Sequence, residues 1–259
     1  MSASLVGSEM CIRDRVKAVG ICGSDIARYR NLGPYVPGNV WGHEFCGEVV
    51  EVGEGVKNLK PGDRVVGCPN MVCHECEYCK SGHPSRCENL NTIGAYVPGA
   101  YAEYIKLPEI NFVKMADSMS YEQGALVEPA TVAIHGLYQT SIKMGYEVAV
   151  VGCGNIGLMA IAWAKAFGAK RVFAIDIDDA QLQLAKEFGA DVLINSTDID
   201  FHDEIRKYGN GVDLAIESAG NPFTAARVLG LPHKGGEVVY MGIPYADVPI
   251  PRFYFERIM

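Results

Sequence analysis

A chain of 259 residues, 49% hydrophobic and 21% charged, has the balance of a soluble globular protein and the length for two domains. Its net charge of −8, without clustered Lys and Arg, argues against nucleic acid as a partner. The longest apolar stretch, Val148 to Ala164, is broken by Gly152, Gly154, Asn155 and Gly157 and does not read as a membrane span.

At the N-terminus, Leu5 to Arg15 shows no strand or helix periodicity. Leu5 to Arg15 resembles the translation of a transposase adapter used in sequencing-library preparation, in which ATG-TGT-ATA-AGA-GAC gives Met-Cys-Ile-Arg-Asp. Residues 1–15 are therefore expected to be a leader foreign to the fold, with a genuine flexible terminus as the alternative.

From Val16 to about 140, short β-type runs alternate with Gly and Pro. They are Phe45 to Val52, Gly62 to Gly67 behind the turn Lys60-Pro61-Gly62-Asp63, and Ala100 to Leu107. This pattern predicts an irregular β-rich barrel. From 141 onward strands and helices alternate. Strands are expected at Glu147 to Val151, Arg171 to Ile175, Asp191 to Ile194, Val212 to Glu217 and Glu237 to Met241. Helices are expected at Asn155 to Phe167, Ala180 to Phe188, Phe201 to Tyr208 and Pro222 to Leu229. Such alternation predicts a doubly wound parallel sheet with crossover helices. The chain stops at Met259 inside an amphipathic-looking run from Arg252 with no cap or stop signal, which reads as a fragment of a longer frame.

Four cysteines, Cys73, Cys76, Cys79 and Cys87, follow the spacing C-x2-C-x2-C-x7-C. Four thiolates this close can enclose one tetrahedral Zn²⁺. Two disulfides inside so short a loop are the cramped alternative, and a nucleic-acid zinc ribbon conflicts with the acidic charge. Nine cysteines without a secretory signal suggest a reducing cytoplasm. Cys46, Cys68 and Cys153 read as small buried hydrophobes.

Gly152-Cys153-Gly154-Asn155-Ile156-Gly157 is G-x-G-x-x-G between a strand and a helix. Gly152 permits the turn, Gly154 lets the backbone approach a pyrophosphate, and Gly157 lets the helix pack on the strand. Asp176, nineteen residues beyond Gly157, can accept both ribose hydroxyls and would repel a 2′-phosphate, which argues for NAD. A Gly-rich turn without ligand is the bland alternative.

Three further segments offer metal donors: Gly20-Ile21-Cys22-Gly23-Ser24-Asp25, Gly42-His43-Glu44 behind Trp41, and Val127-Glu128-Pro129. One thiolate, one imidazole and one or two carboxylates could hold a zinc with an open position. Singly, Cys22 could be a buried thiol, His43 a core histidine and Glu128 a helix-start charge.

Together these motifs, in this order, resemble the zinc-dependent medium-chain alcohol and polyol dehydrogenases, from Val16 to Met259. Galactitol-1-phosphate 5-dehydrogenases resemble it most, with sorbitol, butanediol and threonine dehydrogenases as near relatives. The resemblance implies a GroES-like zinc-binding catalytic domain at 16–140 and a Rossmann NAD-binding domain at 141–259, both truncated. It also implies two zincs per chain and hydride transfer from a secondary alcohol of a polyol or polyol phosphate to NAD. Cys22 and His43 are then catalytic zinc ligands, which Glu44 and Glu128 supplement or exchange. Ser24 carries the proton relay, Asp25 orients the histidine, and the four-cysteine lobe holds structural zinc. His135 is a candidate for the relay or a packed helix residue. Trp41 and Tyr96 are candidates for the pocket wall, and Arg28 for a substrate phosphate. A homodimer or homotetramer is implied for the full-length protein. A zinc- and NAD-binding fragment without turnover is the alternative from a different class.

Overall fold

The computed structural model describes Met10–Tyr254. The described residues fall into two compact units that divide between Glu128 and Pro129.

The first unit is β-rich, as its turn-punctuated pattern predicts. Its elements are β1 (Cys11–Val19), α1 (Gly23–Ala27), β2 (Phe45–Val52), β3 (Arg64–Gly67), β4 (Asn70–Met71), α2 (Glu77–Lys80), β5 (Asn91–Thr92), β6 (Tyr104–Pro108), β7 (Phe112–Lys114) and α3 (Tyr121–Ala125). An antiparallel five-stranded sheet has the order β6-β1-β2-β3-β7, and β4 pairs with β5. Ile12, Phe45, Val49, Val65, Leu107 and Phe112 form its core. Phe45 and Phe112 meet edge-to-face at 6.4 Å between ring centres.

The structure places part of the expected leader in the first sheet. Cys11 to Arg15 is the first half of β1, flanked on both sides by paired strands: Ile12 lies opposite Val52 and Leu107, and Arg15 opposite Glu48 and Tyr104. A strand ladder is made by backbone groups, so it tolerates an unpromising side-chain sequence. Alternation does exist here, with Ile12 and Asp14 inward. It is hidden in the sequence because one inward residue is an acid. Asp14 is fully buried, and neither carboxylate oxygen has a hydrogen-bond partner. The remainder of the expected leader, Met1 to Glu9, lies outside the described residues.

Helix α4 (Val127–Tyr138) places Ala133 and Leu137 in the core of the second unit. Compact packing therefore divides within the first turn of this helix, whereas the change of sequence pattern comes after it, at 140. The second unit continues with β8 (Glu147–Val151), α5 (Asn155–Ala166), β9 (Arg171–Asp176), α6 (Asp179–Glu187), β10 (Val192–Asn195), α7 (Phe201–Arg206), β11 (Val212–Glu217), α8 (Pro222–Arg227) and β12 (Pro232–Tyr240). All strands are parallel in the order β10-β9-β8-β11-β12. Helices cover both faces, so the central strands are buried on both sides and read as continuous apolar runs. Two core clusters result, one containing Val148, Val150 and Ile161, the other Val151, Phe173 and Ile205. The strand order reverses around β8, at whose end α5 begins, the usual ligand crevice of such sheets.

Several boundaries shift from expectation: β6 begins at Tyr104 instead of Ala100, β3 at Arg64 instead of Gly62, and α7 ends at Arg206 instead of Tyr208. β12 starts at Pro232 instead of Glu237, because a bulge carries it through Gly235 and Gly236. The helix expected to Leu229 gives way after Arg227 to a 3-10 turn, Val228–Gly230.

Candidate metal centres and dinucleotide loop

The four cysteines converge. The sulfurs of Cys73, Cys76, Cys79 and Cys87 all lie within 4.8 Å of one another. Cys73 and Cys79 are 4.0 Å apart, and Cys73 and Cys87 3.5 Å. A tetrahedron with Zn–S of about 2.3 Å has edges of about 3.8 Å, so the donor set fits zinc. Local structure explains the convergence. Cys76 caps α2 and Cys79 lies within it, while His74, at φ 59°, reverses the chain after Cys73. Backbone N–H groups of Glu75 and Cys76 hold the Cys73 thiol down at about 6. Burial and the neighbouring thiols push Cys79 up to about 12. All nine cysteines are free, so the disulfide alternative finds no support.

Strand pairing assembles the second donor set. Val19 at the end of β1 pairs with Phe45 at the start of β2, and Gly20 N–H donates to the Glu44 carbonyl at 2.7 Å. Cys22 and His43 lie just beyond this clamp. Donor atoms of Cys22, His43 and Glu44 come within 4.8 Å of one another. Gly20 must lack a side chain, since a Cβ there would stand 2.2 Å from Glu44 Oε2. Burial pushes the Cys22 thiol and the Glu44 carboxyl upward, toward their neutral forms. Ser24 opposes this at Cys22 by hydrogen bonds from its hydroxyl and backbone, and His43 opposes it at Glu44. A cation between desolvated donors reverses such shifts, so this set also fits a metal. Glu128, in the first turn of α4, stays outside the group of three. Burial, aided by Glu44, pushes it up to about 7.

Asp25 lies near His43 without bonding to it: Oδ1 is 3.9 Å from His43 Nδ1. Its hydrogen bonds go elsewhere. Cys22 N–H donates to Oδ2 at 3.0 Å, closing the N-terminal turn of α1, and the Tyr101 hydroxyl donates to the same oxygen at 3.0 Å. Tyr101 was not recognisable in the sequence, where it sits in a run that reads as strand.

Beside these donors lies a cavity of about 190 Å³ whose lining includes Ser24, Arg28, Tyr35, Trp41, His43 and Tyr96. Three pocket candidates from the sequence, Arg28, Trp41 and Tyr96, thus share one wall system with the metal donor His43. A wider cleft of about 720 Å³, largely apolar, is bordered by Ile21, Ile26, Tyr29 and Tyr101. His135 is exposed on α4. Cys46 and Cys153 are buried as expected, but Cys68 is exposed.

In the second unit, Gly152 adopts φ 93°, and a Cβ there would meet Ala219 N at 2.6 Å. A Cβ at Gly157 would stand 1.9 Å from the Gly152 carbonyl. Gly154 caps α5, with open space around its Cβ direction. Asn155 and Ile156 form the first turn, where free N–H groups and the helix dipole favour phosphate. These residues fit a dinucleotide. Asp176 Oδ2 accepts from Cys153 N–H at 2.6 Å, and Oδ1 from Ile177 and Asp178 N–H at 2.7 and 3.0 Å. Glu217, missed in the sequence because it ends an apolar run, is fully buried. It accepts from Ala219 and Gly220 N–H at 3.2 Å and from Thr224 Oγ1 at 2.8 Å, fixing the turn against Gly152.

Family models match both parts of the chain: the alcohol dehydrogenase GroES-like domain at residues 9–117 and zinc-binding dehydrogenase at 155–258. Sorbitol dehydrogenase of Bacillus subtilis is 40% identical over 237 residues, covering 89% of this chain and 67% of that protein. L-threonine 3-dehydrogenase of Caldanaerobacter subterraneus is 38% identical, covering 91% of this chain and 70% of that protein. The crystal structure of galactitol-1-phosphate dehydrogenase from Escherichia coli superposes with a TM-score of 0.91 at 32% identity, covering 98% of this chain and 74% of that one.

Proposed function

Because this chain belongs to the zinc-binding alcohol dehydrogenase family, we propose that it oxidises a secondary alcohol of a polyol or polyol phosphate reversibly with NAD. Galactitol 1-phosphate is the best single substrate. The observation that carries this reading is the convergence of Cys22, His43 and Glu44 beside a cavity that Ser24 and His43 line. In this reading Cys22, His43 and Glu44, supplemented by Glu128, hold the catalytic zinc. The four-cysteine lobe holds a second zinc whose positions are all filled by thiolates, and it stiffens the loop. Zinc held by Cys22, His43 and Glu44 would supply Lewis acidity to the substrate hydroxyl, and the dinucleotide a hydride acceptor.

The remaining work falls to the chain. The Ser24 hydroxyl faces the cavity and can both accept and donate, so it takes the substrate proton outward. Asp25 and Tyr101 fix the turn that carries Cys22. Trp41 and Tyr96 wall the cavity against water. Gly152, Gly154, Asn155, Ile156 and Gly157 cradle the pyrophosphate. Asp176 receives the ribose and disfavours a 2′-phosphate, which supports NAD over NADP. A cytoplasmic location suits the free thiols, and a homo-oligomer follows from the family.

Assaying galactitol 1-phosphate, galactitol, sorbitol, 2,3-butanediol and threonine with NAD and with NADP tests the reading, alongside zinc content per chain. Two zincs and fastest NAD-linked turnover of the polyols support it. Fastest turnover of threonine sinks it, and one zinc with no turnover favours a zinc- and NAD-binding protein without activity.

A further inference from the structure

The geometry points to Arg28 as the residue that selects a substrate carrying a terminal phosphate, an inference that rests on the polyol dehydrogenase reading of the cavity. Arg28 follows Cys22 by six residues, at the C-terminal cap of α1. It lines the same cavity as Ser24 and His43 and is the only lysine or arginine in that lining. Its guanidinium lies over the ring of Tyr35, with Cζ 3.4 Å from the ring centre. One N–H donates to the Gly33 carbonyl at 3.3 Å. The stacking and this bond hold the group in place.

What the group lacks is an anion. Among the described residues no carboxylate comes within ion-pair distance of it. The acid in the same lining, Asp25, accepts from Cys22 N–H and the Tyr101 hydroxyl. Guanidinium presents five N–H donors in a planar fork, which matches two oxygens of a phosphate or carboxylate at once. A neutral polyol would leave that fork without an ionic partner. A polyol with a terminal phosphate would fill it while its hydroxyls remain on the side of Ser24 and His43. In a chain of net charge −8, a lone cation beside the metal donors also gives the cavity a local preference for anions. The rings of Tyr35 and Tyr96, with centres 5.1 Å apart, back the same wall and reduce competition from water.

The test uses the full chain loaded with zinc, with binding by titration calorimetry and turnover measured side by side. The probes are galactitol 1-phosphate, galactitol, galactonate and inorganic phosphate. The proteins are wild type, Arg28→Leu and Arg28→Lys. The wild type should prefer galactitol 1-phosphate to galactitol, and Arg28→Leu should lower that ratio at least tenfold. Arg28→Lys should restore it in part, since it keeps the charge and loses the fork. Inorganic phosphate should compete with galactitol 1-phosphate in the wild type and not in Arg28→Leu. An unchanged ratio, or equal losses for both sugars, overturns the proposal by reducing Arg28 to a structural role. Tighter binding of galactonate than of the phosphate overturns phosphate as the source of the anion. Arg28-dependent phosphate binding without oxidation of any polyol would leave the anion site standing and sink the dehydrogenase reading instead.

Discussion

Tyr101 donates its hydroxyl to Asp25 Oδ2 at 3.0 Å, from 76 residues away, and so ties a loop between β5 and β6 to the turn that carries Cys22. The same hydroxyl lies 3.1 Å from the Gly20 carbonyl. Asp25 raises the Tyr101 pKa by accepting this proton, after burial has already raised it. The carboxylate therefore acts on the Cys22 backbone and on Tyr101, whereas its distance to His43 exceeds a hydrogen bond.

Removing the hydroxyl should loosen the Cys22 turn. Tyr101→Phe is expected to lose about 1 kcal/mol of stability, the usual worth of such a bond. Catalytic zinc affinity should fall with it, because the donor loop is less fixed, while the four-cysteine site keeps its metal. Zinc titration against a chelator, compared with urea unfolding, separates the two effects. Uniform weakening of both sites would place the role of Tyr101 in general stability.

Asp14 is a buried carboxyl in the first sheet with no hydrogen-bond partner on either oxygen. Burial pushes its carboxyl from 3.8 up to about 7, with Glu48 adding to the rise and Lys17 opposing it. Between these values the folded chain holds a proton that the unfolded chain has released, so stability falls as pH rises from about 4 to about 7 and then levels. The full difference is worth about 4 kcal/mol. Asp14→Val should remove that slope and raise stability at pH 8 by several kcal/mol, as urea unfolding at pH 5 and pH 8 will show. A variant as pH-sensitive as the parent over this window would contradict the assignment.

The two metal centres should fail differently. Cys22→Ser is expected to abolish turnover and leave NADH binding intact, since the dinucleotide loop lies wholly in residues 152–157 and Asp176. Cys73→Ser removes a thiolate that holds a loop with little core of its own. It should lower the unfolding midpoint by about 5–10 °C, the shift that 2–3 kcal/mol gives a chain of this size. Each variant should retain one zinc. Turnover surviving in Cys22→Ser would refute the catalytic role of that site.

The legible parts of this molecule are those whose chemistry is local in sequence. Cys73 to Cys87 and Gly152 to Gly157 each form a site within one short segment, so spacing alone exposes them. Cys22, His43 and Glu44 needed the β1–β2 pairing to meet, and the sequence offered them only as separate candidates. Tyr101 was invisible because its contact depends on a loop path that no periodicity encodes. The first half of β1 shows no clean alternation in the sequence because Asp14 occupies an inward position, where pattern reasoning expects an apolar residue. The bulge at Gly235 and Gly236 was missed for the converse reason: glycine marks turns and bulges alike.

If Asp176 selects the cofactor, as proposed, it does so with a carboxylate that already accepts three backbone N–H groups, from Cys153, Ile177 and Asp178. Those bonds fix its position at the end of β9, beside the Gly152–Gly157 loop through Cys153 N–H. Asp176→Asn keeps an oxygen for part of this network and removes the charge. NAD affinity should fall several-fold and NADP affinity should rise, changing their ratio by tenfold or more. Gly157→Ala supplies the contrast. Its methyl would press on the Gly152 carbonyl at 1.9 Å, moving the backbone of the phosphate cradle itself. Both dinucleotides share that pyrophosphate, so both should weaken together with little change in ratio. Fluorescence titration of NADH and NADPH against the two variants reads this directly. An unmoved ratio in Asp176→Asn would show that the choice between the cofactors is made elsewhere in the chain.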